Sequence, residues 1–258
     1  MPYYLGLDLG TSSLKASLLE IDTKRVFVHS HPYPVLTPRL GWAEQSPEDW
    51  WQAAITATRA VLVEAQVHQA SDVRAVGLSG QMHGAVFLDA ALALIRPAVI
   101  WPDQRAAFEA DEANTLLAQA GLIGRLGGGV PAGFMAATLL WMRRYDPETL
   151  ERTAVVLLPK DELRRRLTGE IATDPSDASG TPLLDLRTWG WCLPALDVLD
   201  IPYALLPPIL PSAAVAGRIT ASAARELGLC EGIPVACGAS DQTAGAVGAG
   251  LIEPGTPL

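Results

Sequence analysis

An α/β domain built on a mixed β-sheet is what this sequence predicts, on three observations. The 258 residues are 49% hydrophobic and only 18% charged, which supplies a large core and excludes a disordered chain. The N-terminal stretch reads as an antiparallel meander of short strands. Downstream, helical patterns alternate with short apolar runs, the layout of a sheet covered by helices.

The meander consists of Tyr3 to Leu9, a turn at Gly10-Thr11-Ser12-Ser13, then Leu14 to Ile21 and Val26 to Ser30. Ser46-Pro47-Glu48-Asp49 starts a helix: Ser46 suits the N-cap, Pro47 the first turn, and the two acids the positive end of the dipole. Trp50, Ala53, Ala54, Ala57, Val61 and Ala65 continue it at helical spacing. Val73 to Leu78 is a strand running into Ser79-Gly80-Gln81-Met82-His83-Gly84, and Ala85 to Leu88 is another. Pro97 to Trp101 is a short apolar run ahead of a helical stretch over 103–120, and 121–133 is Gly-rich and irregular. Ala137 to Arg144 reads as a helix, Ala154 to Leu158 as a strand, and Lys160 to Leu167 as a helix stopped by Thr168-Gly169. Residues 171–188 are polar and turn-rich, and Pro207 to Pro211 is an extended connector. Ala221 to Leu227 is a helix with Gly228 as its C-cap; Pro234 to Cys237 is a strand leading through Gly238-Ala239-Ser240-Asp241 into a small-residue helix, Gln242 to Gly250.

The 19 basic and 28 acidic side chains leave a net charge of −9, which argues against nucleic acid or an anionic membrane as partner. A small anion remains open as a ligand, because backbone N–H groups bind phosphate without net positive charge. Cys192, Cys230 and Cys237 match no metal spacing and read as reduced thiols. No apolar run reaches the roughly 18 residues of a membrane span, so the expectation is a soluble, cytoplasmic protein.

Four segments carry candidate chemistry. In Asp8-Leu9-Gly10-Thr11-Ser12-Ser13-Leu14-Lys15, a strand delivers a carboxylate to a turn rich in hydroxyls and backbone donors. Gly10, Thr11, Ser12, Ser13 and Lys15 are candidate phosphate ligands. Asp8 beside a phosphate is repulsive unless a cation bridges them, which suits Mg²⁺ held through water; an ordinary hairpin turn is the competing account. Asp241 stands where a strand gives way to a helix among small residues, and suits a general base that orients a hydroxyl and takes its proton. A plain N-cap explains it equally simply. Gln81, Met82 and His83 could line a polyol pocket, with imidazole and amide bonding hydroxyls against an apolar Met, although a lone His is commonly structural. Asp103, in Trp101-Pro102-Asp103-Gln104-Arg105, could bind hydroxyls or cap the following helix.

Together these segments resemble the FGGY carbohydrate kinases, over essentially the whole chain. The resemblance includes Asp8-Leu9-Gly10-Thr11-Ser12-Ser13, Gly41-Trp42-Ala43-Glu44-Gln45 with Trp50-Trp51, and Gln81-Met82-His83-Gly84. It continues through Leu157-Leu158-Pro159-Lys160-Asp161, the run from Thr173 to Thr181, and Asp241 to Gly248. It implies a ribonuclease-H-like lobe of the actin-like ATPase fold, with a mixed β-sheet flanked by helices. It also implies ATP and Mg²⁺ as cofactors, and transfer of the γ-phosphate to the 5-hydroxyl of D-xylulose. By family position Asp241 is the catalytic base and Asp8 acts near Mg²⁺ and the phosphates, while Gln81, Met82, His83, Asp103, Asp241 and Gln242 line the sugar site. Gln242 stands where such kinases usually carry Asn, which bears on sugar preference; a kinase for ribulose, fuculose or glycerol is one alternative, and a non-catalytic sugar-binding module is another. Family members carry a second, adenosine-binding lobe of similar size. Residues 1–250 are accordingly expected to be the sugar-binding domain and 251–258 the start of the connection to that lobe, with this lobe inactive alone. Homodimers are common in the family.

Overall fold

The computed structural model describes residues 1–253; the expected connection at 251–258 lies largely outside the described residues. The opening meander forms as expected: β1 (Tyr3–Leu9), β2 (Ser13–Glu20) and β3 (Val26–Pro32) pair antiparallel in sequence order. A two-residue β4 (Glu44–Gln45) precedes α1 (Pro47–Glu64), where Ser46 Oγ accepts from the Glu48 amide at 3.2 Å. The chain then returns through β5 (Val73–Gly80), which lies parallel to β1 on the side away from β2. A parallel neighbour needs a crossover connection, and α1 supplies it.

β6 (Val86–Leu88), β7 (Ala98–Val99), α2 (Ala107–Gln119), α3 (Ile123–Leu126), α4 (Met135–Tyr145), α5 (Pro147–Arg152) and β8 (Val155–Leu157) follow. α6 (Pro159–Thr168) ends on Gly169 at φ +79°. After it come α7 (Pro175–Ala178), β9 (Leu184–Asp185), β10 (Gly190–Trp191) and α8 (Leu193–Leu199). β11 (Val215–Arg218), α9 (Ala221–Leu227), β12 (Pro234–Ala236), β13 (Ala239–Ser240) and α10 (Asp241–Gly248) complete the described chain. The main sheet runs β11-β12-β5-β1-β2-β3, with β13 also pairing β5. Its mixed character and flanking helices match the predicted class.

Side-chain alternation along β1 and β2 buries Leu5, Leu7, Leu9, Leu14, Ala16 and Leu18 on one face, against Trp50, Ala53, Ala54, Ala57 and Val61 of α1 and Ala223, Ala224 and Leu227 of α9. A second core joins Phe87, Val99 and Val156 to α2, α4 and α8. Trp51 Nε1 donates to Glu226 at 2.8 Å, tying α1 to α9. Among the described residues, no helix is long and apolar enough to cross a membrane.

Several boundaries move for identifiable reasons. The stretch expected to be helical from 103 becomes α2 only at Ala107, because Asp103 folds back on its own turn, accepting from the Arg105 amide and side chain. The irregular 121–133 segment contains α3, and 171–188 contains α7 and β9. α5, α8, β10 and β11 have no counterpart in the expected elements.

A charged cluster lies wholly inside the protein, at the start of α6. Lys160, Asp161, Arg164, Asp174 and Asp177 are all fully buried. Lys160 Nζ stands 2.6 Å from Asp161, 3.2 Å from Asp174 and 3.6 Å from Asp177, and Arg164 meets Asp161 at 2.7 Å. Arg164 also donates to the Cys237 and Ala172 carbonyls, joining α6 to two distant segments. Burial pulls the Lys160 pKa down, but Asp161, Asp177 and Asp174 override it and hold the ammonium charged. Burial pushes Asp177 well above its ordinary value; Lys160 opposes the shift, while Asp161 and Asp174 add to it. A proton on Asp177 lowers the negative charge that the buried cations have to balance.

Two outcomes follow from this packing. Leu7→Ala, at the centre of the sheet, should lower unfolding free energy by about 2–5 kcal/mol in urea titrations. Asp177 keeps its proton in the folded chain at pH values where the unfolded chain has released it. The folded state then binds more protons, so this group costs stability as pH rises from about 4 towards its folded-state pKa. Asp177→Asn should therefore gain melting temperature over the parent, by nearly nothing near pH 4 and by a few degrees near pH 8, in scanning calorimetry. A gain that does not grow with pH would show Asp177 ionised.

Candidate active site

The register of three parallel strands assembles the site. Leu9 of β1 pairs with Gly80 of β5, and Ser240 of β13 pairs with the same Gly80. The residues that leave these strand ends are therefore neighbours: the Gly10–Ser13 turn, the Gln81–His83 loop and Asp241. A cavity of about 240 Å³ opens there, lined by Thr11, Gln81, Met82, His83, Trp101, Asp241 and Gln242. A larger cavity of about 530 Å³ between α1, α6 and α9 holds Glu48, Arg165 and Arg166, but these pair among themselves and with Glu162. Its charges are spent on the fold, so the smaller cavity is the better place for chemistry.

Asp241 is the first residue of α10, and Ser240 is the N-cap, its Oγ accepting from the Thr243 amide at 3.3 Å. The simple capping account of Asp241 is thereby removed. Its Oδ1 accepts from the Gln242 amide at 2.7 Å, and among the described residues Oδ2 makes no hydrogen bond. Gly238 allows the approach to this corner: its φ is +90°, and a Cβ there would sit 2.6 Å from the Leu78 carbonyl oxygen.

His83 adopts φ +74°, a strained conformation for a side-chain-bearing residue. Its ring stacks on Phe134 with centroids 3.6 Å apart. Nδ1 lies 2.7 Å from the Gly180 carbonyl, which only accepts, so Nδ1 carries the proton and Nε2 is the acceptor in the neutral ring. Burial pulls the His83 pKa below its ordinary value, although the Gly180 carbonyl and the Asp241 charge favour protonation. Gln81 is buried; its amide nitrogen donates to Gln45 Oε1 at 2.8 Å, and its backbone N–H donates to the Leu9 carbonyl at 2.7 Å. Gln45 in turn donates to the Thr11 carbonyl at 2.6 Å and accepts from Trp50 at 3.1 Å. The polar residues beside the cavity are thus held by a network rooted in α1.

Asp8 lies in β1 opposite Lys15 of β2. It accepts from Ser79 Oγ at 2.9 Å and stands 3.8 Å from Lys15 Nζ, with both side chains partly exposed. One carboxylate near a hydroxyl-rich turn is the donor set that hydrated Mg²⁺ takes, since that ion keeps its waters and uses one or two carboxylates beside phosphate oxygens. Among the described residues, no group of three or more His, Cys, Asp or Glu side chains could hold a metal directly. Tyr33 donates its hydroxyl to the Gly10 carbonyl, and the Gly10 amide donates to the Ser13 carbonyl at 3.1 Å, fixing the turn. Thr11 Oγ1 accepts from Trp101 Nε1 at 2.9 Å, joining the phosphate-type turn to the cavity wall.

The structure brings Asp8, Gly10, Thr11, Ser12, Ser13, Lys15, Gln81, Met82, His83, Asp241 and Gln242 to one end of the central strands. It does not bring Asp103 to the cavity wall. That carboxylate is 1% exposed, paired with Arg105 at 2.8 Å and accepting from the Ala43 amide at 2.6 Å. Asp103 thus fastens the 41–43 loop, and its charge is balanced within the core. Trp101, Phe134, Gln45 and Gly180 are the site residues that sequence reasoning passed over. Gln45, Trp101 and Gly180 lay within segments already singled out and Phe134 did not, and contacts across more than 30 residues give no local signal.

The chain is 38% identical over 250 residues to the xylulose kinase of Escherichia coli (strain K12), covering 97% of this chain and 50% of that protein. The solved xylulose kinase from Rhodospirillum rubrum superposes with a TM-score of 0.90 at 31% identity, covering 97% of this chain and 51% of the other. The gluconate kinase from Lactobacillus acidophilus gives 0.86 at 27% identity, over 93% of this chain and 48% of the other. The chain spans about half the length of the relatives it matches. Residues 3–248 match the model of the N-terminal domain of the FGGY carbohydrate kinases, and the chain belongs to that family.

Proposed function

We propose that this chain is the sugar-binding lobe of an ATP-dependent kinase that converts D-xylulose to D-xylulose 5-phosphate. The observation that carries the reading is the convergence of Asp241, Gln242, His83, Met82 and Thr11 on one small cavity beside the Asp8 turn. Residues 1–250 form this lobe, and an adenosine-binding lobe completes the enzyme. A cytoplasmic location is part of the same reading.

In this reading Asp241 Oδ2 accepts the proton of the 5-hydroxyl as the sugar oxygen bonds to the γ-phosphorus, the bond to the β,γ-bridging oxygen breaks, and ADP leaves carrying that oxygen. His83 Nε2 accepts from another sugar hydroxyl, Gln242 bonds hydroxyls with its amide, and Met82 covers the apolar edge of the sugar. Thr11, Ser12, Ser13 and Lys15 orient the phosphates, and Asp8 would hold Mg²⁺ through water, where the ion would supply charge neutralisation for the phosphoryl group. Positioning and charge stabilisation are the main demands of phosphoryl transfer, and this set of residues meets them without a protein-bound covalent intermediate.

Asp241→Asn in the two-lobed enzyme should lower kcat by about 10²–10⁴-fold in an ATP-coupled assay with D-xylulose. The 258-residue chain alone should bind D-xylulose in a calorimetric titration yet show little turnover, because one lobe cannot close over the sugar and exclude water. Phosphorylation of ribulose, glycerol or gluconate in preference to D-xylulose would reassign the substrate. Full activity in Asp241→Asn would remove the base and favour a different catalytic group.

A further inference from the structure

The segment from Asp174 to Gly180 connects the two sides of the candidate sugar site, although neither Ser176 nor Gly180 lines the cavity. At one end Ser240, wholly buried, donates its backbone N–H to Ser176 Oγ at 3.0 Å. At the other end the Gly180 carbonyl accepts from His83 Nδ1 at 2.7 Å. α7 is the short rigid span between them.

The direction of the Ser176 hydrogen bonds is set by its neighbours. Ser176 Oγ donates to Asp174 Oδ2 at 2.6 Å, which turns its lone pairs towards the Ser240 amide. The same carboxylate oxygen accepts from the Ser176 amide at 3.0 Å and from Ser212 Oγ at 2.7 Å. Asp174 is in turn fastened by Lys160 at 3.2 Å. A continuous path therefore runs from the buried cluster through Asp174 and Ser176 to the peptide that precedes Asp241. Without Ser176 Oγ, the Ser240 N–H loses the partner it has in a buried place, and the strand-to-helix corner would shift to recover one.

We propose that Ser176 is a positioning residue for Asp241, and that the same turn positions His83 through the Gly180 carbonyl. The inference rests on the reading of Asp241 as general base and His83 as a sugar ligand. Ser176 acts on the orientation of the base, so its loss falls on kcat. Gly180 acts on a side chain that binds the sugar, so crowding it falls on KM. A Cβ on residue 180 would stand 2.8 Å from both His83 Nδ1 and Met82 Cε, which forces both cavity side chains to move.

The test is steady-state kinetics of the two-lobed enzyme with D-xylulose as the varied substrate. Ser176→Ala should lower kcat about tenfold with KM held within about twofold, since small misplacements of a catalytic group are costly. Ser176→Thr, which keeps the hydroxyl, should restore kcat to within about threefold of the parent. Gly180→Ala should raise KM about tenfold with a smaller effect on kcat. Ser179→Ala removes a hydrogen bond of the same turn, Ser179 Oγ to the Ser176 carbonyl at 2.7 Å, without touching Ser240, and should leave both parameters near the parent. An unchanged kcat in Ser176→Ala, a loss that Ser176→Thr does not restore, or an equal loss in Ser179→Ala overturns the proposal. Asp241→Asn measured alongside separates the two levels. If that variant is fully active, the reading of the base falls and the positioning role with it. If it is inactive while Ser176→Ala behaves as the parent, only the positioning role falls.

Discussion

Parallel pairing of β1, β5 and β13 is the constraint on which the rest of the structure depends. Leu9 and Ser240 both align on Gly80, so three segments far apart in sequence leave the sheet at the same level. Each then turns in its own way: β1 into a hydroxyl-rich hairpin, β5 into a strained loop at His83, β13 directly into α10. A one-residue slip in any strand would invert its alternation, exposing Leu5, Leu7 and Leu9 or burying Asp8. The hydrophobic core thus fixes where the polar groups of the site emerge, and stability and site geometry share one cause.

Beneath these strand ends lies the buried ionic cluster. Burying charge is costly, and an ion pair in the interior rarely exceeds a well-packed apolar alternative in stability. Its value here is directional. Lys160 and Arg164 reach the Asp161 and Asp174 carboxylates, the Asp177 carboxyl group and the Cys237 carbonyl, which belong to the start of α6, the α7 turn and the residue after β12. Apolar packing resists separation of such segments but tolerates small sliding and rotation. Hydrogen-bonded charges with defined partners restrict both, and the elements they restrict are those leading to Asp241 and His83.

Local signals in the sequence carried the meander, α1, α6 and α9, since Ser46, Gly169 and Gly228 mark ends that need only neighbouring residues. The motif residues Asp8, Gln81 to His83 and Asp241 were legible for a similar reason, each standing at the end of an apolar strand beside a glycine or small residue. What was hidden depends on long-range contact. The Arg105 guanidinium two residues on absorbs Asp103, which its position at a strand end does not reveal. Phe134 and Gly180 meet His83 only after the chain has folded, and Gln45 reaches Thr11 and Gln81 across separate elements. The competing account of Asp241 as an N-cap fails by one residue, since Ser240 caps α10 and helix ends are uncertain at that level from sequence.

Gly238 and Gly180 bear on how such a site can diversify. At Gly238 a single added carbon meets the Leu78 carbonyl oxygen at 2.6 Å, so the corner before Asp241 resists ordinary exchanges, whereas at Gly180 it meets the His83 and Met82 side chains at 2.8 Å and displaces them. Variation that keeps the fold is channelled instead onto side chains that project into the cavity from an already fixed frame, chiefly Met82, Trp101 and Gln242. New substrate preferences would then arise by altering the shape and polarity of the walls while the acid–base geometry is inherited intact. A laboratory search for altered sugar preference has its smallest useful library at those three positions.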